Sequence, residues 1–233
     1  MIGALAGVCG VLGAGGLAAG ALLPNARLFG PVVGRGAPDG RSVYLTFDDG
    51  PSPRATPSIL DTLALEGAPA TFFMVGRYAE SHPELARAVA SAGHLVGSHT
   101  YTHRKLTLLG PATVRREIGE GHRAVARAAG VEPEAFRAPH GHRNPFVDRT
   151  LRGMGCPLVG WTLGVWDSDR PGADEIRRRA RSGMRPGTVL LLHDGDGYDP
   201  DGDRSQTAEA LPGILDDLRR DGYAVRPLAE LLA

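Results

Sequence analysis

From Val43 onward, short runs of β-branched and aromatic residues alternate with stretches of helical character, and this alternation constrains the fold more than any other feature of the chain. Val43–Phe47, Thr71–Val75, Leu95–Ser98, Ala135–Arg137, Leu158–Trp161, Val189–Leu192 and Tyr223–Val225 read as strands. Thr56–Glu66, Pro83–Ala92, Pro111–Ala129, Phe146–Gly153, Ala173–Ser182, Thr207–Asp221 and Leu228–Leu232 read as helices. Gly67, Gly93, Gly130 and Gly222 fall just past helix ends, where a positive φ is needed. Regular β–α alternation argues an α/β class with a parallel sheet. About seven such units predict a single (β/α) barrel, distorted and seven-stranded, with a doubly wound open sheet as the alternative.

In either architecture the reactive groups collect at the carboxyl ends of the strands. Polar residues do fall there. Asp48 and Asp49 follow the first strand, and His99 and His103 the third. Arg137 to His142 follow the fourth, Asp167 and Asp169 the fifth, and His193 and Asp194 the sixth. Chance placement would scatter such residues over both ends of the sheet.

Adjacent carboxylates in Thr46-Phe47-Asp48-Asp49-Gly50-Pro51 are compatible with a solvated turn, since Asp is common in turns. They also suit a division of labour, because adjacent acids at a strand end point in different directions. One can bind a metal while the other stays free as a base. In Ser98-His99-Thr100-Tyr101-Thr102-His103 the two histidines are four apart, a spacing that puts both on one face of a helical turn. With one Asp they form a two-His, one-carboxylate set with open metal positions. Two surface histidines are the bland alternative. His82, His94 and His122, in or beside helices, read as bystanders of that kind.

The runs TFDDGP, SHTYTH, RAPHG and LLLHD, with the ATFFMVG strand between the first two, occur in an order and at a spacing that resemble the polysaccharide deacetylases, the NodB-type carbohydrate esterases of family four. The likeness covers about Arg41 to Ala233. It implies removal of N-acetyl groups from an amino-sugar polymer such as peptidoglycan or a chitin-like chain, with one divalent metal, zinc first and cobalt or nickel as alternatives. It implies Asp49, His99 and His103 as metal ligands, Asp48 as general base, Arg137 as its partner, and His193 as general acid paired with Asp167. Leu191 would line the acetyl pocket, and the backbone N–H near His140 would face the oxyanion. Two rivals are weighed against this reading. A two-His, one-carboxylate iron oxygenase is disfavoured by the β–α alternation. A silent glycan-binding module on the same fold is disfavoured by the complete residue set.

Two positions depart from the family pattern. His140 replaces the usual Tyr, Phe or Trp, which affects its side-chain contact with a sugar but not its backbone N–H. Ser168 stands where an indole commonly follows the Asp matched to Asp167, so the pocket is expected to be wider unless Trp161 or Trp166 refills it. The five Asp of the segment from Asp194 to Asp203 invite a calcium reading, but Arg204 and Ala210 occupy key EF-hand positions, and a solvated loop is preferred.

The chain ahead of the domain is of another character. Met1 to Leu23 carries no charge and is long enough to span a bilayer, at about 20 residues. It is read as an apolar leader or membrane anchor (1–23), followed by a Gly- and Pro-rich linker (24–40) and one catalytic domain (41–233). A membrane-anchored or secreted protein with an extracytoplasmic domain suits the glycan, although Arg27, Arg35 and Arg41 argue the other topology by the positive-inside rule. A formal net charge of zero gives no reason to expect a nucleic-acid partner. With only Cys9 and Cys156, neither a disulfide framework nor a cysteine zinc site is expected. Oligomeric state is not readable from the sequence.

Overall fold

The computed structural model describes residues 16–38 and 40–233, so most of the apolar leader, Cys9 included, lies outside the described residues. Seven strands build one parallel sheet: β1 (Ser42–Asp48), β2 (Ala70–Met74), β3 (Leu95–Ser98), β4 (Ala135–Phe136), β5 (Leu163–Gly164), β6 (Thr188–His193) and β7 (Ala224–Val225). Their order is β4-β3-β2-β1-β6-β5, and β7 pairs with the start of β1. From β1 onward the helices are α1 (Thr56–Glu66), α2 (Gly76–Ser81), α3 (Pro83–Ser91), α4 (Pro111–Ala129), α5 (Pro145–Met154), α6 (Ala173–Gly183) and α7 (Ser205–Arg220). Gly67 and Gly130 end α1 and α4 in the left-handed conformation, as their positions after the last helical residue require.

The period of two along each strand sorts side chains into two layers. Val43, Leu45 and Phe47 of β1, Phe72 and Met74 of β2, and Leu190 and Leu192 of β6 pack with Ile59 and Leu63 of α1 and Leu211 and Ile214 of α7. The alternate residues Tyr44, Phe73, Leu95, Ala135 and Val189 form a second buried cluster with Val159 and Leu228. Being buried on both faces, these strands read as near-continuous apolar runs. The same alternation puts Thr46 beside Leu191 and Asp48 beside His193 in register on neighbouring strands. The central strands thus deliver two of the expected catalytic groups side by side.

Two expectations are corrected by the fold, and one element is added. The fifth strand, expected at Leu158–Trp161, is divided. Leu158 bridges Phe136 of β4, whereas pairing with β6 is made by Leu163 and Gly164. The cause lies at Gly160, whose N–H donates to Val33 O and whose carbonyl accepts from the Arg137 side chain, so the segment cannot continue as one ladder. A short helix, α2, follows β2 directly; six residues carry too little periodicity to announce it. Leu228–Leu231 is a 3-10 turn rather than an α-helix.

Residues 24–38 of the expected 24–40 linker run along the domain. Val33 bridges Val159, Arg35 bridges Thr188, and Val32 is buried with Leu106, Phe136 and Leu158. Together with the 157–164 segment they span the gap between β4 and β6, which makes the sheet barrel-like. No helix among the described residues is long and apolar enough to cross a membrane.

Candidate active site

Asp48 ends β1 and Asp49 follows it with φ = 73°. That kink turns the two carboxylates apart, as adjacent acids at a strand end allow. Oδ1 of Asp48 accepts from Arg137 Nη1 at 2.7 Å. Arg137 is wholly buried. Its Nη1 also donates to Thr46 Oγ1 at 2.8 Å, its Nη2 to Gly160 O at 2.9 Å, and its guanidinium lies 4.2 Å from the centre of the Phe73 ring. Burial lowers the pKa of Arg137, and Asp48 acts against that shift.

Asp49 faces two histidines. Its Oδ1 lies 2.9 Å from His103 Nε2 and 3.4 Å from His99 Nε2. Burial alone would raise its pKa, but the His103 and His99 imidazoles hold it well below the usual carboxylate range. His99 Nδ1 donates to Arg137 O at 2.7 Å, which leaves Nε2 as the lone-pair nitrogen. The expected helical turn is absent here. Thr100 and His103 both have positive φ, 65° and 60°, so a bend rather than a helix brings the rings to a centroid separation of 5.1 Å. The bend is held from outside: Gly76 N donates to Thr100 O, and the buried Glu117 of α4 accepts from Thr102 N and Oγ1.

The donor set fits a metal ion. Asp49, His99 and His103 bring one ligand atom each within 4.8 Å of one another. Asp49 Oδ1 is buried without an aligned hydrogen bond despite its close nitrogens. A buried carboxylate oxygen in that condition is costly unless a cation completes it.

His193 ends β6 on the opposite side of Asp49, with Nε2 4.0 Å from Asp49 Oδ2. Asp167 grips it twice: Oδ1 meets Nδ1 at 2.8 Å and Oδ2 accepts the His193 backbone N–H at 2.8 Å. Thr207 Oγ1 adds a hydrogen bond to the same Oδ2 at 2.9 Å. Burial works to lower the pKa of His193, yet the Asp167 carboxylate overrides it and raises the imidazole to about 9. Asp167 is held below its ordinary range: burial opposes this, and His193 and Thr207 outweigh it.

These groups line one cavity of about 410 Å³ at the carboxyl edge of the sheet. Comparison with known proteins bears on what such a cavity is for. The sequence matches the family described as polysaccharide deacetylase over residues 35–184. It is 40% identical over 214 residues to a chitooligosaccharide deacetylase of a Bradyrhizobium species, covering 88% of this chain and 94% of the relative. It is 35% identical over 195 residues to a peptidoglycan-N-acetylglucosamine deacetylase of Bacillus cereus, covering 82% and 87%. The chain belongs to the polysaccharide deacetylase family. A crystal structure of a peptidoglycan N-acetylglucosamine deacetylase, in complex with 4-naphthalen-1-yl-N-oxidanyl-benzamide, superimposes with a TM-score of 0.80 at 30% identity, covering 86% of this chain and 92% of that one.

The remaining walls of the deacetylase cavity include residues that the sequence did not single out. Leu191 lines it beside Gly164 and Trp161. Trp161 stands over Gly164, where an added Cβ would lie 3.5 Å from its indole nitrogen. Trp166 reaches the cavity but remains 67% exposed at the rim. His140, at φ = 58°, meets Tyr198 Oη through Nε2 at 2.7 Å. Burial, with His103 and Lys105 nearby, lowers the His140 pKa to about 4. Tyr198 sets its ring edge against His103 with centroids 5.0 Å apart.

The loop that carries Tyr198 is pinned rather than freely solvated. The buried Arg204 donates to Gly195 O, Ser168 O and Asp196 Oδ2, and Arg77 donates to Gly197 O. Asp196, Asp199 and Asp203 accept from nearby backbone N–H groups in tight turns. The only advance signal for this loop was the density of Asp and Gly that marks turns. Behind the ligands, burial and the charges of Asp49 and Asp48 raise Asp194 to about 7, against the hydrogen bond it accepts from Thr56 Oγ1.

Proposed function

We propose that this deacetylase hydrolyses the N-acetyl amide of amino-sugar glycans, chitin-like oligosaccharides or peptidoglycan, and releases acetate. The observation that carries the reading is the placement of two differently partnered groups, Asp48 on Arg137 and His193 on Asp167, on either side of the Asp49–His99–His103 donor set. Two imidazoles and one carboxylate suit zinc, with cobalt or nickel as substitutes. When bound there, such an ion polarises the amide carbonyl and lowers the pKa of water at the site.

The chain's own groups divide the proton work. Asp48 Oδ1 is occupied by Arg137, so Oδ2 is the oxygen left to take a proton from the attacking water. His193 Nδ1 is committed to Asp167, so its Nε2–H is the proton available to the departing amine. Amine is a very poor leaving group without that proton. The backbone N–H of His140 is the proposed donor to the developing oxyanion. Leu191 and Trp161 would pack the acetyl methyl, while His140 and Trp166 offer rings to the sugar. An anchored or secreted protein with the domain on the extracytoplasmic side accords with a cell-wall or chitin-like substrate and with the uncharged leader.

The test is acetate release from N-acetylated chito-oligosaccharides and peptidoglycan fragments. A chelator should abolish it, and zinc or cobalt should restore it. Undiminished release by metal-free protein would refute the assignment.

A further inference from the structure

Pro24 and Asn25 lie ahead of the first strand, yet they sit against the catalytic wall. Asn25 Nδ2 donates to Trp161 O at 2.7 Å. Three glycines make room for this pair. A Cβ on Gly141 would come within 2.8 Å of both Pro24 Cβ and the Trp161 ring, and one on Gly160 within 2.1 Å of Asn25 Oδ1. A Cβ on Gly34 would meet the same Asn25 oxygen at 1.9 Å. Just upstream, Ala21 O accepts from Arg143 N at 3.0 Å, tying the approach to the chain beyond the His140 turn.

What Pro24 and Asn25 touch is functional on both sides. Gly141 follows His140 in the turn at Pro139–Gly141. Gly160 O accepts from the Arg137 nitrogen adjacent to the one that holds Asp48. Trp161 lines the cavity next to Leu191 and Gly164.

We propose that Asn25, wedged with Pro24 between the Gly141 turn and Gly160–Trp161, is a positioning and specificity-determining residue that sets the Trp161 wall of the acyl pocket. The inference rests on the deacetylase reading above for its substrate terms. Its structural content, the dependence of Trp161 on Asn25, stands apart from activity.

The experiment uses the full chain and two variants. Asn25→Ala removes the donor, and Asn25→Asp replaces the donating nitrogen with oxygen at nearly constant size. Trp161 and Trp166 are the two tryptophans of the chain, so in a Trp166→Phe background Trp161 is the sole indole reporter. Both Asn25 variants should change its emission maximum and raise its quenching by acrylamide. In the otherwise native chain, kcat/KM for N-acetyl glycan should fall about tenfold, as expected for a misplaced wall. The preference for N-acetyl over N-propionyl substrate should narrow, while zinc content stays unchanged. Unaltered Trp161 emission together with an unaltered acyl preference would overturn the proposal. So would an equal loss on both substrates accompanied by loss of zinc, which marks general damage. Absence of acetate release from the native chain would instead sink the deacetylase reading and leave the fluorescence outcome to decide the role of Asn25.

Discussion

Asp48 and Asp49 differ by one position in sequence and by their whole environment in space: one rests on a buried guanidinium, the other between two imidazoles. Asp48→Asn should retain the metal yet lower kcat by about 10²–10⁴, the usual worth of a general base. Asp49→Ala should lower metal content itself. Turnover and metal stoichiometry measured together check both, and equal loss of metal in the two variants would show the roles wrongly divided. His193 supplies a second test. Its value of about 9 lies above the ordinary 6.5, so it is protonated at lower pH and loses its proton as pH rises through 9. Activity that needs the imidazolium should therefore decline on the alkaline side. Asp167→Asn removes the anion that raises the value and leaves the burial that lowers it, so the alkaline limb should move to lower pH. A pH profile of kcat/KM with an unmoved limb would contradict the pairing. At this scale the sequence was informative because strand ends are where the fold gathers chemistry: Asp48, Asp49, His99, His103, Arg137 and His193 were all legible there. Tyr198 was assigned no role, because it gains its place from His140 and His103, partners distant in sequence that no local pattern names.

At the scale of elements, the bend from His99 to His103 depends on a helix that contributes no ligand. Glu117 on α4 is buried and accepts both Thr102 N and Thr102 Oγ1. Without that carboxylate the bend loses its outer support, and supports of this kind are worth about 10–100-fold in metal affinity. Glu117→Ala should therefore weaken metal binding by up to that factor while the thermal transition stays cooperative, and competitive titration against a chelating dye would measure it. Unchanged affinity would show that the bend holds itself. The central strands were readable because apolar β-branched runs buried on both faces leave a strong mark. The divided segment 157–164 was not readable, because what breaks it is a side chain, Arg137, taking the carbonyl of Gly160. Likewise a His-x-x-x-His spacing is shared by a helical turn and by this bend, and only the positive φ at Thr100 and His103 separates them.

Across the whole molecule, the segment 24–38 and the 157–164 segment together span the opening between β4 and β6. Gly and Pro suggested a linker because composition reports local flexibility and says nothing of what a distant surface will accept. A chain beginning at Arg41 should melt at a lower temperature than one that retains residues 24–38. Burying Val32 alone contributes about 1.5–3 kcal/mol, and at about 2–4 °C per kcal/mol the fall should be at least about 3 °C. Calorimetry on the two chains would measure it, and equal transitions would show the segment to be a passenger. The strand order has a consequence for synthesis as well. β1 lies at the centre of the sheet, but one of its neighbours, β6, begins only at Thr188. At ordinary translation speeds about seven to thirty seconds separate the two. For that interval the apolar strand Val43–Phe47 stands with one hydrogen-bonding edge open, and residues 24–36 wait for a surface not yet made. A nascent chain in that state invites pairing with other chains, so its safe passage depends on whatever shields that edge until the sixth strand arrives.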